Sequence, residues 1–167
     1  PHAELTPNPD GTVSVVSHDG DASKVEISYT GNNGNPQTIT VIKNPSAGWV
    51  VDSTPGKTTA PATDFTLDPH SGKVVVSDNA TKDGTSITAK VTDNAGNSSE
   101  DSATTPDKIS IKFNDDTTPD GIITRAENYA DEGTKATATI SIPNLAKDGS
   151  KIHVIGTGIN DYYTVHK

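Results

Sequence analysis

Residues 83–97, DGTSITAKVTDNAGN, carry the pattern from which the fold is predicted. Ile87, Ala89 and Val91 alternate with polar residues, and a period of two places them on one face of a β-strand. An Asp-Gly pair precedes the alternation, and the turn sequence DNAGN at 93–97 ends it. The stretch therefore predicts a β-strand with one buried face and one exposed face, bounded by turns.

The same alternation occurs in six segments before residue 80. Their inward-facing residues are Val13 and Val15; Val25, Ile27 and Tyr29; Ile39 and Val41; Trp49 and Val51; Phe65 and Leu67; and Val74 and Val76. Seven short strands with turn sequences between them are typical of an antiparallel β-sandwich. We predict an all-β, Ig-like sandwich over residues 1–106, with 1–12 as a polar lead-in, 98–106 as a polar linker and Trp49 in the core.

The composition fits a thin, sheet-lined core. Apolar residues make up 30% of the chain and aromatic residues 4%, and both fractions are low for a globular protein. Two sheets about 10 Å apart can close over a small core of Val, Ile and Ala, whereas a helical bundle could not easily do so. The 14 glycines and 11 prolines suit a chain with many turns and few helices.

The charge argues against two classes of partner. The chain has 13 Lys and Arg against 22 Asp and Glu, a formal net charge of −9. Nucleic acids and anionic lipids both attract basic surfaces, so we predict no nucleic-acid partner. No apolar run approaches the roughly 18 residues of a membrane span, so we predict no membrane insertion. The absence of cysteine fits bacterial surface proteins, and it fits cytosolic proteins as well.

No combination of residues typical of catalysis is found in the sequence. The five histidines lack zinc-binding spacing, and no phosphate-binding loop, dinucleotide fingerprint or nucleophile elbow occurs. Asp68, His70 and Ser71 fall within one predicted turn, whereas a catalytic triad is assembled from distant segments. We therefore predict that the protein is not an enzyme.

Residues 115–127, DDTTPDGIITRAE, fit a twelve-residue calcium loop that begins at Asp116. The positions that supply ligands or the sharp turn hold Asp116, Thr118, Asp120, Gly121, Ile122 through its carbonyl, and Glu127. Threonine departs from the usual Asp or Asn at the third position. The preceding KISIKFN, residues 108–114, alternates like a strand, so the loop would lie between strands and not between helices. The alternative is a solvated acidic turn.

The alternation starts again after residue 107 and predicts a second, incomplete sandwich domain over residues 107–167. Its inward-facing residues are Ile109, Ile111 and Phe113; Ala136, Ala138, Ile140 and Ile142; and Ile152 and Val154. TKDGT at 81–85 is echoed by AKDGS at 146–150, each before a predicted strand. We expect the C-terminal strands of this domain to be missing. The alternative is one large sandwich with an inserted acidic loop.

Three segments resemble the bacterial Ig-like repeats of Bap-like and other large repetitive biofilm adhesins. Residues 83–98 are similar to the repeat ending DGT-x-(V/I)-T-A-x-(V/A)-T-D-x-A-G-N-x-S, and NPDGTVSV at 8–15 is similar to the first strand. DGIITRAE at 120–127 resembles the segment D-(D/G)-x-I-(N/T)-x-A-E that opens successive repeats of Bap-like adhesins. The motifs touch most of the chain, and the extra residues 117–119 depart from the usual spacing.

The resemblance implies an extracellular fragment of a larger secreted fibre at the bacterial cell surface, acting in cell adhesion and biofilm formation. It implies Ca²⁺ at domain junctions, where the ion stiffens the linker. With Ile122 from the loop pattern, the implied ligands are Asp93, with Asn94 beside it, Asp107, Asp115, Asp116, Asp120 and Glu127. The implied partners are neighbouring repeats of the same chain and a host or bacterial surface protein or glycan.

The alternative function is a ligand-binding β-sandwich module of a secreted or surface protein. In that case an exposed loop such as 52–63 would bind a glycan or a protein. An exposed aromatic side chain on this loop would favour the alternative, and the loop has none.

Overall fold

The computed structural model of the chain describes residues 1–114, 137–142, 146–156 and 159–167. Within these residues the backbone forms thirteen β-strands and one 3-10 helix, Ala62–Asp64. The first nine strands are β1 Glu4–Pro7, β2 Val13–Val16, β3 Ala22–Thr30, β4 Pro36–Asn44, β5 Gly48–Val51, β6 Phe65–Leu67, β7 Val74–Val76, β8 Ser86–Asp93 and β9 Ser98–Thr104. The other four are β10 Ser110–Phe113, β11 Ala138–Ser141, β12 Lys151–Gly156 and β13 Ile159–Thr164.

The first nine strands form two antiparallel sheets. One has four strands in the order β1-β2-β7-β6, and the other has five in the order β5-β4-β3-β8-β9. In the centre of the larger sheet, Ile27 lies opposite Ile39 on one side and Ala89 on the other. The predicted all-β, antiparallel sandwich is therefore confirmed.

The inner faces of the two sheets share one core of Val, Ile and Ala side chains, completed by Trp49 and Tyr29. Trp49 is 5% exposed, which confirms its predicted place in the core. Most of the predicted inward-facing residues are buried. Three of them, Val51, Phe65 and Leu67, are only partly buried and pack against the rim of the core.

Two strands of the sandwich arise where none was expected. β1 lies within the predicted lead-in 1–12, and β9 occupies most of the predicted linker 98–106, so both of those predictions are wrong. β9 pairs with β8 from Ser98 to Thr104 as the edge strand of its sheet, and its SSEDSAT side chains all stay at least partly exposed. Backbone hydrogen bonds to β8 hold it, and Ala103 is its one apolar side chain against the core, so the sequence shows no hydrophobic alternation there.

The described strands after residue 107 form two separate antiparallel pairs, β10 with β11 and β12 with β13. Ile111 pairs with Ile140 and Lys112 pairs with Thr139, so the first pair has one apolar face and one polar face. In the described part of this region, large apolar side chains stay exposed: Ile109, Ile111, Ile142, Ile155, Ile159, Tyr162 and Tyr163. Ala136 lies outside the described residues, and the second domain at 107–167 stays a prediction.

Candidate metal centre

Five of the seven predicted calcium ligands lie outside the described residues. They are Asp115, Asp116, Asp120, Ile122 and Glu127. The calcium loop therefore stays a prediction. The structure does place the other two predicted ligands, Asp93 and Asp107, and it separates them.

Asp93 and Asp107 lie at opposite ends of the sandwich. β8 and β9 are antiparallel, with Ser86 opposite Thr104 and Thr92 opposite Ser98. Asp93 thus lies at one end of β8, and Asp107, three residues after β9, lies at the other. The eight residues of β8 span roughly 25 Å. Because Ca²⁺ lies about 2.3–2.6 Å from each ligand oxygen, no single ion binds both carboxylates.

The N-terminal residues lie near one end of the sandwich, and the chain leaves the sandwich at the other end. We call the end with Asp93 and the 94–97 turn the N-terminal pole, because Pro1 accepts a hydrogen bond from Ser99 there and the Ala3 N–H donates to Asp101 at 2.9 Å. The other end is the C-terminal pole, where the chain leaves β9. The resemblance implied that Asp93 lies at the junction with the following segment. In the structure Asp93 lies at the opposite pole, away from that junction.

The carboxylate of Asp93 holds the turn between β8 and β9. Its Oδ1 accepts hydrogen bonds of 2.9 Å from the N–H groups of Ala95 and Asn97, and its Oδ2 accepts one of 2.9 Å from Asn97 Nδ2. The side chain of Asn97, followed by these backbone N–H groups, holds the pKa of Asp93 below its ordinary value despite its burial. A metal ion at Asp93 would compete with these donors.

Asp93→Asn should change how stability depends on pH. The folded pKa of Asp93 is below the unfolded one, so the stabilisation is complete above the unfolded pKa and is lost as pH falls through the folded pKa. We expect a smaller fall in melting temperature between about pH 6 and about pH 3 in the variant than in the wild type. Thermal melts measure this, with Asp161→Asn, at an exposed position, as the control. Equal falls in all three proteins would contradict the role assigned to Asp93.

The C-terminal pole brings together carboxylates that the sequence analysis did not connect. Asp10, Asp78 and Asp107 line a cleft of about 370 Å³ together with Lys108 and apolar side chains such as Ile152. Among the described residues, no three His, Cys, Asp or Glu side chains form a group that could hold a metal ion. A cation drawn to this cleft would need further oxygen ligands, and the predicted acidic loop follows Asp107 in the sequence.

Two of these carboxylates already accept local hydrogen bonds. Asp10 accepts from the N–H of Thr12 at 3.0 Å and from its hydroxyl at 2.7 Å, and the hydroxyl, then the N–H, lowers the pKa of Asp10. Asp78 accepts from the N–H of Asn79 at 2.9 Å. Strand pairing explains why they meet. Val13 lies opposite Val76, so the turn before β2 lies beside the turn after β7.

Comparison with family models, curated proteins and solved structures finds no match to this chain.

The loop proposed for the alternative function is held along the sandwich. The N–H of Thr59 donates to the carbonyl of Thr38 at 2.9 Å, and the hydroxyl of Thr40 donates to the carbonyl of Lys57 at 2.7 Å. Residues 52–63 thus continue past β5 beside β4 without forming a strand, and the 3-10 helix begins at Ala62. No helix in the described residues is long and apolar enough to cross a lipid bilayer.

Proposed function

We propose that the chain is a calcium-binding extracellular repeat module of a bacterial surface adhesin. Its role would be that of a calcium-stiffened spacer in cell adhesion and biofilm formation. The observation that carries the proposal is the arrangement of the sandwich, in which β1 begins near the N-terminal pole and β9 ends at the C-terminal pole. Modules that the chain enters at one end and leaves at the other can follow each other in line.

The position of Asp107 supports a role for calcium in this arrangement. It lies at the C-terminal pole, lines the same cleft as Asp10 and Asp78, and precedes the acidic sequence 115–127. An ion held by Asp107 and by the loop would join the sandwich to the segment that follows. The charge of −9 supports this role, because a bound divalent cation relieves repulsion among carboxylates.

Calcium should raise the melting temperature of the whole chain. An ion that binds only the ordered state at a hundredfold excess over its Kd stabilises that state by about 2.7 kcal/mol. For a chain of this size, that corresponds to a rise on the order of 5–10 °C. The measurement is a thermal melt in EDTA, in CaCl₂ and in MgCl₂ at equal ionic strength. We expect the rise in CaCl₂ alone.

Two variants make this result specific. Asp120→Ala should abolish the rise, because it removes an oxygen ligand from the predicted loop. Glu100→Gln removes a carboxylate from an exposed position on β9 and should keep the full rise. If CaCl₂ and EDTA give the same melting temperature, the acidic segment is a solvated turn and the calcium proposal fails.

The ligand-binding alternative has less support. Loop 52–63 contains no aromatic residue and is hydrogen-bonded along β4. The exposed aromatic rings of the described residues lie instead on β13, where Tyr162 stacks on His153 with ring centroids 4.1 Å apart. If calcium does not change the melting temperature, this stacked pair is the first surface to test for glycan binding.

A further inference from the structure

The chain is held firmly where it leaves the first sandwich. Thr105, the residue after β9, is 2% exposed. Its N–H donates to the carbonyl of Thr85 at 2.8 Å, and its own carbonyl accepts from the N–H of Gly84 at 3.1 Å. Its hydroxyl donates to the carbonyl of Lys82 at 2.6 Å. The TKDGT turn before β8 therefore fixes the first residue of the departing chain.

The same turn holds the chain again three residues later. The N–H of Lys108 donates to Asp83 Oδ2 at 2.9 Å. The ammonium of Lys108 donates to the carbonyl of Thr81 at 3.1 Å and lies 3.6 Å from Asp83 Oδ1. Lys108 thus binds the carboxylate of Asp83 through both its backbone N–H and its ammonium group. Residues 105–108 are attached to the sandwich at both ends by bonds between protein groups alone.

The AKDGS turn makes three similar contacts in the second half of the chain. The N–H of Gly149 donates to the carbonyl of Val165 at 2.8 Å, and the N–H of Val165 donates to the carbonyl of Ser150 at 2.8 Å. The carboxylate of Asp148 accepts from the N–H of Lys167 at 3.0 Å. The hairpin β12–β13 therefore corresponds to β8–β9, the last hairpin of the first sandwich, and the sequence echo is a structural one.

The TKDGT and AKDGS turns have the Asp-Gly pair in common for physical reasons. Gly84 and Gly149 have φ values of +67° and +81°, a backbone region that favours glycine. The aspartate before each glycine reaches past the turn to a backbone N–H beyond the second strand. The buried position after that strand is filled by Thr105 in one case and by Val165, which is 6% exposed, in the other.

We propose that the Lys-Asp-Gly-(Thr/Ser) turn is a repeated exit clamp. We define it as residues 81–85 with 105–108, and as 146–150 with 165–167. It fixes the direction in which the chain leaves each hairpin, and it does so independently of calcium. The inference goes beyond the proposed calcium spacer, because it assigns part of the stiffness to bonds that remain when calcium is absent.

The absence of cysteine allows a direct test on the full chain. Cysteines introduced by Ser28→Cys and Lys112→Cys lie at exposed positions on β3 and β10 and can carry spin labels. The distance distribution between the labels is measured by pulsed electron paramagnetic resonance in EDTA. We expect one narrow distribution, and we expect Asp83→Ala to widen it by about twofold or more, as for a flexible linker.

Three further variants make the result interpretable. Asp68→Ala removes a hydrogen-bonded carboxylate from a turn elsewhere in the sandwich and should leave the width unchanged. Thr105→Val removes the buried hydroxyl but keeps the backbone bonds that Val165 makes in the second clamp, so it should widen the distribution less than Asp83→Ala. Lys108→Met keeps the backbone N–H bond to Asp83 and should widen it less than Asp83→Ala. Unchanged Trp49 fluorescence in each variant shows that the sandwich remains folded.

The outcomes separate the clamp from the calcium proposal. A broad distribution in wild-type protein in EDTA, or equal widths in wild type and Asp83→Ala, overturns the clamp. Calcium added to Asp83→Ala tests the other proposal, because an ion at the junction would narrow the distribution again. A narrow distribution in wild-type protein in EDTA that widens in Asp83→Ala would establish the clamp. If calcium then fails to narrow the distribution of Asp83→Ala, the calcium spacer is refuted.

Discussion

Gly72→Ala should lower the free energy of unfolding by roughly 2–5 kcal/mol. A Cβ atom at Gly72 would lie 2.7 Å from Cδ2 and Cε2 of the Trp49 indole, which is buried in the core and has little space to move. The residue also has a φ of +74°, where an L side chain is strained. Steric overlap and backbone strain therefore act together at this position.

Gly34→Ala is a matched control for this prediction. Gly34 has a φ of +85°, but a Cβ atom there would have no neighbour within 4 Å. The control therefore carries the backbone strain without the steric overlap, and it should cost about 1–2 kcal/mol. Urea unfolding followed by circular dichroism measures both variants. Equal losses would mean that the core accommodates the new methyl group, against the packing described for Trp49.

Ile27→Ala should cost about 2–5 kcal/mol, because it removes a side chain from a core that cannot fully collapse around the cavity. Ile27 is fully buried on β3, between Ile39 and Ala89 of the neighbouring strands. The same substitution at Ile155, which is 72% exposed, should change stability by no more than about 0.5 kcal/mol. Urea unfolding of the two variants measures the difference. A loss below about 1 kcal/mol at Ile27 would contradict its central place in the core.

The sequence alone predicts the strands that have one buried face. Val25, Ile27 and Tyr29 alternate with polar residues because one face of β3 contacts the core and the other contacts solvent. The period of two in the sequence follows from this difference between the two faces. β9 has no such contrast. It is an edge strand with one exposed face and one partly buried face that carries a single apolar side chain, Ala103, and it pairs with the backbone of β8 along its whole length. A pattern of side chains cannot reveal a strand held mainly by its backbone.

The candidate site is less predictable, because it depends on which strand ends meet. Asp93 and Asp107 are close in sequence, yet the antiparallel β8–β9 hairpin places them at opposite poles. Asp10 and Asp78 are distant in sequence, yet the pairing of β2 with β7 brings them to one cleft. The echo of TKDGT in AKDGS was visible in the sequence. Its clamping role was not, because the partners of Asp83 and Asp148 come from beyond the following hairpin.

The placement of the two chain ends of the sandwich has a mechanical consequence. β1 starts near one pole and belongs to the smaller sheet, while β9 ends at the other pole and belongs to the larger one. Tension applied through the chain would pull both strands along their own lengths. The backbone bonds of β1–β2 and β8–β9 lie across that direction. They are therefore loaded in shear, as a group, and must rupture together instead of opening one by one from an end.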